Sequence, residues 1–133
     1  MIVVDASVVA LTFLDPATEP RAFQALEEMR ADPAWLVPAH WHVEVLSTVR
    51  GLLLGGKIDK AKADRAAAAI QQMTVAVTPT GPLMPRMWEL RNNLSTYDAA
   101  YVASAESHHI TLVTADVRIE KAGVARCPVR VVG

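Results

Sequence analysis

Short apolar runs alternate along this chain with longer segments whose apolar residues recur at helical spacing. The short runs are rich in β-branched residues and are bounded by proline, glycine or acidic residues, which is typical of buried strands. We predict strands at residues 2–4, 35–38, 75–79, 110–114 and 129–132. We predict helices at residues 8–14, 19–29, 40–53, 59–73, 83–93, 95–108 and 116–121.

One or two helices separate each predicted strand from the next. This order predicts a mainly parallel sheet with helices on both faces, that is, an α/β fold built as a three-layer α/β/α sandwich. A hydrophobic share of 52% suits a sheet that is buried on both faces. With 133 residues and no linker or repeat, residues 1–133 are expected to form a single domain.

Two acidic residues lie at, or just after, the ends of predicted strands. Asp5 ends the first apolar run, and Asp116 comes two residues after the fourth run. Open parallel sheets place their ligand crevices at the carboxyl ends of strands, so both carboxylates are candidates for one site. The alternative for each is an N-cap of the helix that follows, and the sequence around each residue leaves both interpretations open.

Two further acidic residues lie on apolar helical faces. Glu44 has Val43 and Val45 as neighbours, and Asp98 shares its face with Tyr101, three residues on. For Glu44 the alternative is a solvent-exposed helical position. For Asp98 it is a capping box at the start of its helix.

Four carboxylates that converge would repel one another unless a cation lay between them. Oxygen ligands without histidine or cysteine suit Mg²⁺ or Mn²⁺, and such a site supports the hydrolysis of phosphodiesters. The net charge of −1 argues weakly against binding of nucleic acid. If the four acids are set aside as ligands, however, 10 acidic residues remain against 13 basic ones.

The motifs that carry these acids resemble those of the PIN-domain ribonucleases, in particular the VapC toxins of bacterial toxin–antitoxin pairs. The motifs are residues 4–7 around Asp5, residues 43–45 around Glu44, residues 97–103 around Asp98 and residues 114–116. The resemblance covers essentially the whole chain.

The resemblance implies a PIN-like fold and a Mg²⁺- or Mn²⁺-dependent endoribonuclease that acts on RNA. It also implies a homodimer and a small antitoxin protein that blocks the site. Carried over residue by residue, the acids that bind metal and catalyse are Asp5, Glu44, Asp98 and Asp116. Ser7 and Thr114 match hydroxyl positions that would orient these ligands. Some relatives carry one more acid after the last motif, and whether Glu120 takes that part stays open.

Two other functions remain as alternatives. One is a PIN-like interaction module without catalysis. The other is phosphoryl transfer through an aspartyl phosphate on Asp5, although Ser7 stands where haloacid-dehalogenase-type phosphatases have a second acid.

The chain has no signal-peptide pattern and no apolar run long enough to span a membrane, so we expect a cytoplasmic protein without membrane contact. Its single cysteine, Cys127, excludes an internal disulfide.

Overall fold

Five parallel strands form the central sheet of the computed structural model, which describes residues 1–133. The strands are β1 (Ile2–Val4), β2 (Trp35–Pro38), β3 (Ala76–Thr78), β4 (Thr111–Thr114) and β5 (Val129–Val131). Their order in the sheet is β3-β2-β1-β4-β5, and all four neighbouring pairs are parallel. The predicted α/β fold class and the parallel sheet are confirmed.

Seven helices connect the strands. They are α1 (Ala6–Leu11), α2 (Arg21–Ala31), α3 (Trp41–Leu54), α4 (Lys60–Gln72), α5 (Thr80–Glu89), α6 (Thr96–His108) and α7 (Val117–Lys121). Two helices separate β1 from β2, β2 from β3 and β3 from β4, and α7 alone precedes β5. None of the helices combines the length and the apolar character that crossing a membrane requires.

Helices α1, α2 and α5 differ from their predicted bounds by two residues or more at each end. Helix α1 begins at Ala6, earlier than predicted, because the Asp5 carboxylate accepts a hydrogen bond from the Ser7 amide and caps the helix. Helix α5 begins at Thr80, so that Pro82 lies in its first turn. Proline is tolerated there because the first N–H groups of a helix have no partner within it.

The core lies on both faces of the sheet and contains the central strand β1, which is almost entirely buried. Trp41 and Tyr101 are its largest fully buried side chains. On α2 the residues that face the core are Ala22, Ala25 and Met29, whereas Phe23 is 60% exposed. The small side chains of Ala22 and Ala25 let α2 approach the core closely. Helical periodicity alone does not predict that this face of α2 is the buried one.

Candidate active site

The strand order places a topological switch point between β1 and β4. From β1 the chain proceeds to β2 and β3 on one side, whereas β4 lies on the other side and is followed by β5. Asp5 follows β1 directly, and Asp116 comes two residues after the end of β4. Both acids therefore lie at the carboxyl edge of the two adjacent strands, where open α/β sheets bind ligands.

Asp5 is buried at this edge of the sheet and is only 4% exposed. Its Oδ2 accepts a hydrogen bond of 2.6 Å from the Thr114 hydroxyl, and its Oδ1 accepts one of 3.3 Å from the Ser7 amide. A buried carboxylate is costly unless donors surround it, and these two donors hold Asp5 in a fixed orientation.

Ser7 and Thr114 also fix the loop that carries Asp116. The Ser7 hydroxyl accepts a hydrogen bond of 3.0 Å from the Ala115 amide. The Thr114 hydroxyl accepts one of 3.0 Å from the Asp116 amide while it donates to Asp5. The two hydroxyl groups thus couple the position of Asp5 to that of Asp116.

Glu44 reaches the crevice from the first turn of α3 and is held by residues of two other segments. The Tyr101 hydroxyl donates to its Oε1 at 3.3 Å and accepts from the Ala6 amide at 3.3 Å. His40 Nε2 lies 3.2 Å from Glu44 Oε2, although the angle is not that of a hydrogen bond. Tyr101 therefore links Glu44 to the start of α1, directly after Asp5.

Asp98 lies half-buried in the first turn of α6. The Ser95 hydroxyl accepts a hydrogen bond of 3.1 Å from the Asp98 amide, so Ser95 is the N-cap of this helix. The Asp98 carboxylate is not needed as the cap. An acidic side chain at a helix N-terminus is also stabilised by the helix dipole.

Asp116 caps α7 and is covered by Arg118. Its Oδ1 accepts hydrogen bonds from the Arg118 amide at 3.0 Å and from Nε at 2.9 Å, and its Oδ2 accepts one from Nη2 at 2.6 Å. The hydrogen bonds from Arg118 lower the pKa of Asp116. The capping alternative is therefore realised for Asp5 and Asp116, together with their placement in the crevice.

Electrostatic repulsion connects the four acids. Burial, and then repulsion by Glu44 and Asp98, raises the pKa of Asp5 from 3.8 to about 6, against the lowering effect of the Thr114 and Ser7 hydrogen bonds. Burial, opposed by Ser95, also raises the pKa of Asp98, and repulsion by Asp116 and Glu44 adds to the increase. A cation among these carboxylates would relieve the repulsion.

The four carboxylates are suitable ligands for a hard divalent cation, but they do not form a metal site as they stand. As the side chains stand, no group of three or more acidic, histidine or cysteine residues is close enough to hold a metal ion. Asp116 is directed to Arg118 rather than to the other acids. The oxygen ligands and their mutual repulsion fit Mg²⁺ or Mn²⁺, provided that Asp116 is released.

The crevice opens on either side of Arg118. One part is lined by Ser7, Thr48 and Asp116 together with apolar residues of α1. The other part is lined by His40, Glu44, Tyr97 and Asp98 among others. Glu44 and Asp98 thus line one depression and Asp116 lines the other, Arg118 lines both, and the buried Asp5 lines neither.

Three residues of this site were not assigned to it from the sequence. His40 stands four residues before Glu44, and Tyr101 three after Asp98, so helical spacing was the available signal for both. Arg118 follows Asp116 by two residues and pairs with it. Glu120 is exposed, and Ile119 before it is buried in the core.

Five lysine and arginine residues lie between positions 50 and 65, and none of them lines the crevice. Lys60 pairs with Asp64 at 2.7 Å, with side chains that are 84% and 63% exposed. This contact is typical of a solvated helical face.

Comparison with known proteins identifies the family. The PIN domain family matches residues 2–125. The chain is 38% identical over 132 residues to Ribonuclease VapC9 of Mycobacterium tuberculosis, an alignment that covers 99% of this chain and 98% of that protein. This chain belongs to the PIN-domain family of VapC ribonucleases.

Further relatives agree with this identification. Ribonuclease VapC3 of Mycobacterium tuberculosis is 33% identical over 121 residues, which covers 91% of this chain and 86% of that protein. The crystal structure of VapC20 from the same organism, described as a Sarcin-Ricin loop cleaving toxin, superposes with a TM-score of 0.66. It is 23% identical and covers 92% of this chain and 95% of its own chain, so it supports the fold alone. The resemblance to VapC-type PIN-domain proteins is confirmed.

Proposed function

We propose that this protein is a divalent-metal-dependent endoribonuclease and the toxin of a type II toxin–antitoxin pair. The observation that carries the proposal is the placement of Asp5 and Asp116 at the switch point, with Glu44 and Asp98 near enough to raise the pKa of Asp5 by repulsion. Membership in the VapC ribonucleases supports RNA as the substrate.

The four acids are proposed to hold Mg²⁺ or Mn²⁺. A divalent cation bound there would polarise the phosphodiester and activate a water molecule for attack. The hydrogen bonds from Thr114 and Ser7 to Asp5 would keep this carboxylate directed into the crevice and reduce the rearrangement needed on binding.

Glu44 is proposed to hold the attacking water or a cation. Its side chain is 32% exposed, so it is accessible to solvent and still fixed by Tyr101. Asp98 and Asp116 would complete the set of oxygen ligands. No lysine lines either part of the crevice, so contact with phosphate falls to arginine there.

The proposal includes two protein partners and a cellular location. A cognate antitoxin would block the crevice, and a second copy of the chain would form a homodimer. RNA as the substrate places the activity in the cytoplasm.

The decisive experiment is cleavage of a panel of RNAs by the purified toxin freed of antitoxin, with Mn²⁺, with Mg²⁺ and with a chelator. We expect cleavage that depends on either metal and stops on chelation. Binding of RNA without cleavage under every condition would favour the silent interaction module. Metal-dependent release of phosphate from a phosphomonoester, with RNA left intact, would favour the aspartyl-phosphate alternative.

Glu44→Gln tests the chemistry of the site. We expect normal folding and RNA binding but a single-turnover rate with saturating Mn²⁺ that falls by on the order of a hundredfold or more. Glu120→Gln is the matched control, because it removes an exposed acid close to Asp116 along the chain. A near-normal rate for Glu44→Gln would reduce the site to three acids, and an equal loss in both variants would add Glu120 to it.

A further inference from the structure

The backbone amide and the side chain of Arg118 together occupy the acceptor positions of the Asp116 carboxylate. Oδ1 accepts from the Arg118 amide and from Nε, and Oδ2 accepts from Nη2 at 2.6 Å and from Nε at 3.2 Å. An ionised carboxylate offers about four lone-pair positions. A cation can therefore use Asp116 as a ligand only after the guanidinium has moved away.

Nothing else in the protein holds the Arg118 guanidinium. Its side chain is 84% exposed, whereas that of Asp116 is 22% exposed. All hydrogen bonds of its side chain go to Asp116. Because the guanidinium itself lies in solvent, water screens its pair with Asp116, and an RNA phosphate would offer it the same bidentate geometry in exchange.

Arg118 is also the one residue that lines both parts of the crevice. The second arginine there, Arg21, lines only one part and is paired with Glu19 at 2.9 Å. A guanidinium binds two phosphate oxygens at once, and none of the crevice acids other than Asp116 is hydrogen-bonded to Arg118. Arg118 is therefore the cation best placed to meet an RNA phosphate beside the carboxylates.

We propose that Arg118 exchanges partners during binding: it covers Asp116 in the free protein and moves to a phosphate of the RNA when a cation takes Asp116. This inference rests on the proposed function and adds a residue that couples the metal to the substrate. Coupling of two binding events is reciprocal, so the cation strengthens RNA binding by the factor by which RNA strengthens cation binding. The free toxin thereby keeps a weak cation site until RNA arrives.

The first test measures Mn²⁺ binding without RNA by calorimetry. Arg118→Gln removes the competitor, and we expect it to bind Mn²⁺ roughly fivefold more tightly than the wild type. Lys121→Gln is the matched control, because it removes one positive charge from another exposed position of the same helix. An exposed position also makes a folding defect from either change unexpected.

Three results would count against the exchange. Equal or weaker Mn²⁺ binding in Arg118→Gln would show that Arg118 does not compete for Asp116. An equal gain in Lys121→Gln would reduce the effect to general charge. Absence of Mn²⁺ binding by both the wild type and Arg118→Gln would overturn the proposed metal site itself, and the exchange with it.

The second test measures RNA binding in the Glu44→Gln background, where cleavage is slow and Asp5, Asp98 and Asp116 still offer carboxylates to the cation. The probe is a labelled single-stranded RNA oligonucleotide of mixed sequence, with Mn²⁺ or with a chelator. We expect Mn²⁺ to strengthen binding in Glu44→Gln and the gain to fall roughly fivefold when Arg118→Gln is added. An unchanged gain in the double variant would overturn the transfer of Arg118 to phosphate.

Discussion

At the scale of single residues, Asp5 combines a structural and a chemical part. It caps α1 through the Ser7 amide, and it is a buried acid repelled by two others. Its pKa of about 6 lies above the ordinary 3.8, so the folded state binds this proton more tightly than the unfolded state does. The protonated form of Asp5 is therefore the form that favours folding.

Asp5→Asn is expected to abolish cleavage and to raise the thermal midpoint measured in a chelator at pH 7. The difference in pKa corresponds to about 3 kcal/mol, an upper bound because the amide replaces an acceptor by a donor opposite Thr114. Thermal unfolding of both proteins at pH 7 is the measurement. A clear fall in the midpoint would show that the capping contribution of the carboxylate dominates.

The same variant tests the pH dependence. The contribution of Asp5 to stability is fully present below pH 3.8 and is lost as the pH rises through about 6. In a chelator, the thermal midpoint of the wild type should lie below that of Asp5→Asn at pH 7, and this difference should disappear at pH 4. A constant difference across this range would mean that the folded-state pKa of Asp5 is not raised.

The buried hydroxyl of Tyr101 hydrogen-bonds both Glu44 and the Ala6 amide. Tyr101→Phe removes the donor to Glu44 and the acceptor of the Ala6 amide. We expect a loss of about 1 kcal/mol in the free energy of unfolding, measured in urea. The single-turnover cleavage rate should fall about tenfold, because Glu44 loses its support. Ser107→Ala, which removes an exposed hydroxyl of the same helix outside the crevice, should leave the cleavage rate unchanged, and an equal loss of rate in both variants would contradict the assignment.

At the scale of elements, helix α6 carries a proposed site residue at its start and part of a stabilising hydrogen-bond network near its end. Asp98 lies in its first turn, and Glu106 lies eight residues on, about 12 Å along the axis. Glu106 receives Arg86 Nε at 2.7 Å and the Arg126 amide at 2.7 Å, and Arg86 also donates to the Val124 carbonyl. This network joins α5, α6 and the segment before β5.

Arg86→Met breaks this network and is expected to lower the free energy of unfolding by about 2 kcal/mol, because Glu106 and the Val124 carbonyl lose their partner. The cleavage rate well below the melting temperature should stay unchanged. Urea unfolding and single-turnover cleavage measure the two effects. Arg65→Met, at an exposed arginine of α4, is the control and should change stability little. A loss of rate without a loss of stability would instead connect this network to the crevice.

At the scale of the whole molecule, the sheet brings together residues that are far apart in the sequence. The hydrogen bond between Thr114 and Asp5 spans 109 positions, and that between Tyr101 and Glu44 spans 57. A cation that binds only this assembled set stabilises the folded state as a unit.

Mn²⁺ is therefore expected to protect the wild type against thermal unfolding, by about 2.7 kcal/mol when its concentration is a hundred times the dissociation constant. Asp98→Asn and Asp116→Asn should each lose most of this protection. Melting curves over a Mn²⁺ titration measure it. Protection that persists in either variant would remove that residue from the set of ligands.

The sequence by itself determined the fold class, because its apolar runs and helical periodicities are local and repeat in a regular β-then-α order. It also marked Asp5, Glu44, Asp98 and Asp116 as candidates, through their places after buried strands or on apolar helical faces and through the resemblance of their motifs to those of PIN-domain ribonucleases. The helix bounds were less accurate where a cap or a first-turn proline shifted the start, as in α1 and α5. Whether these acids act as predicted stays a prediction.

Tertiary structure alone decided the contacts among these residues. The position of β4 beside β1 places Thr114 on Asp5, and the packing of α6 against the sheet places Tyr101 on Glu44. The pairing of Arg118 with Asp116, rather than with the neighbouring Glu120, likewise depends on the direction of each side chain around a short helix. Such contacts join distant residues or depend on rotamers, and the local patterns of a single sequence do not encode them.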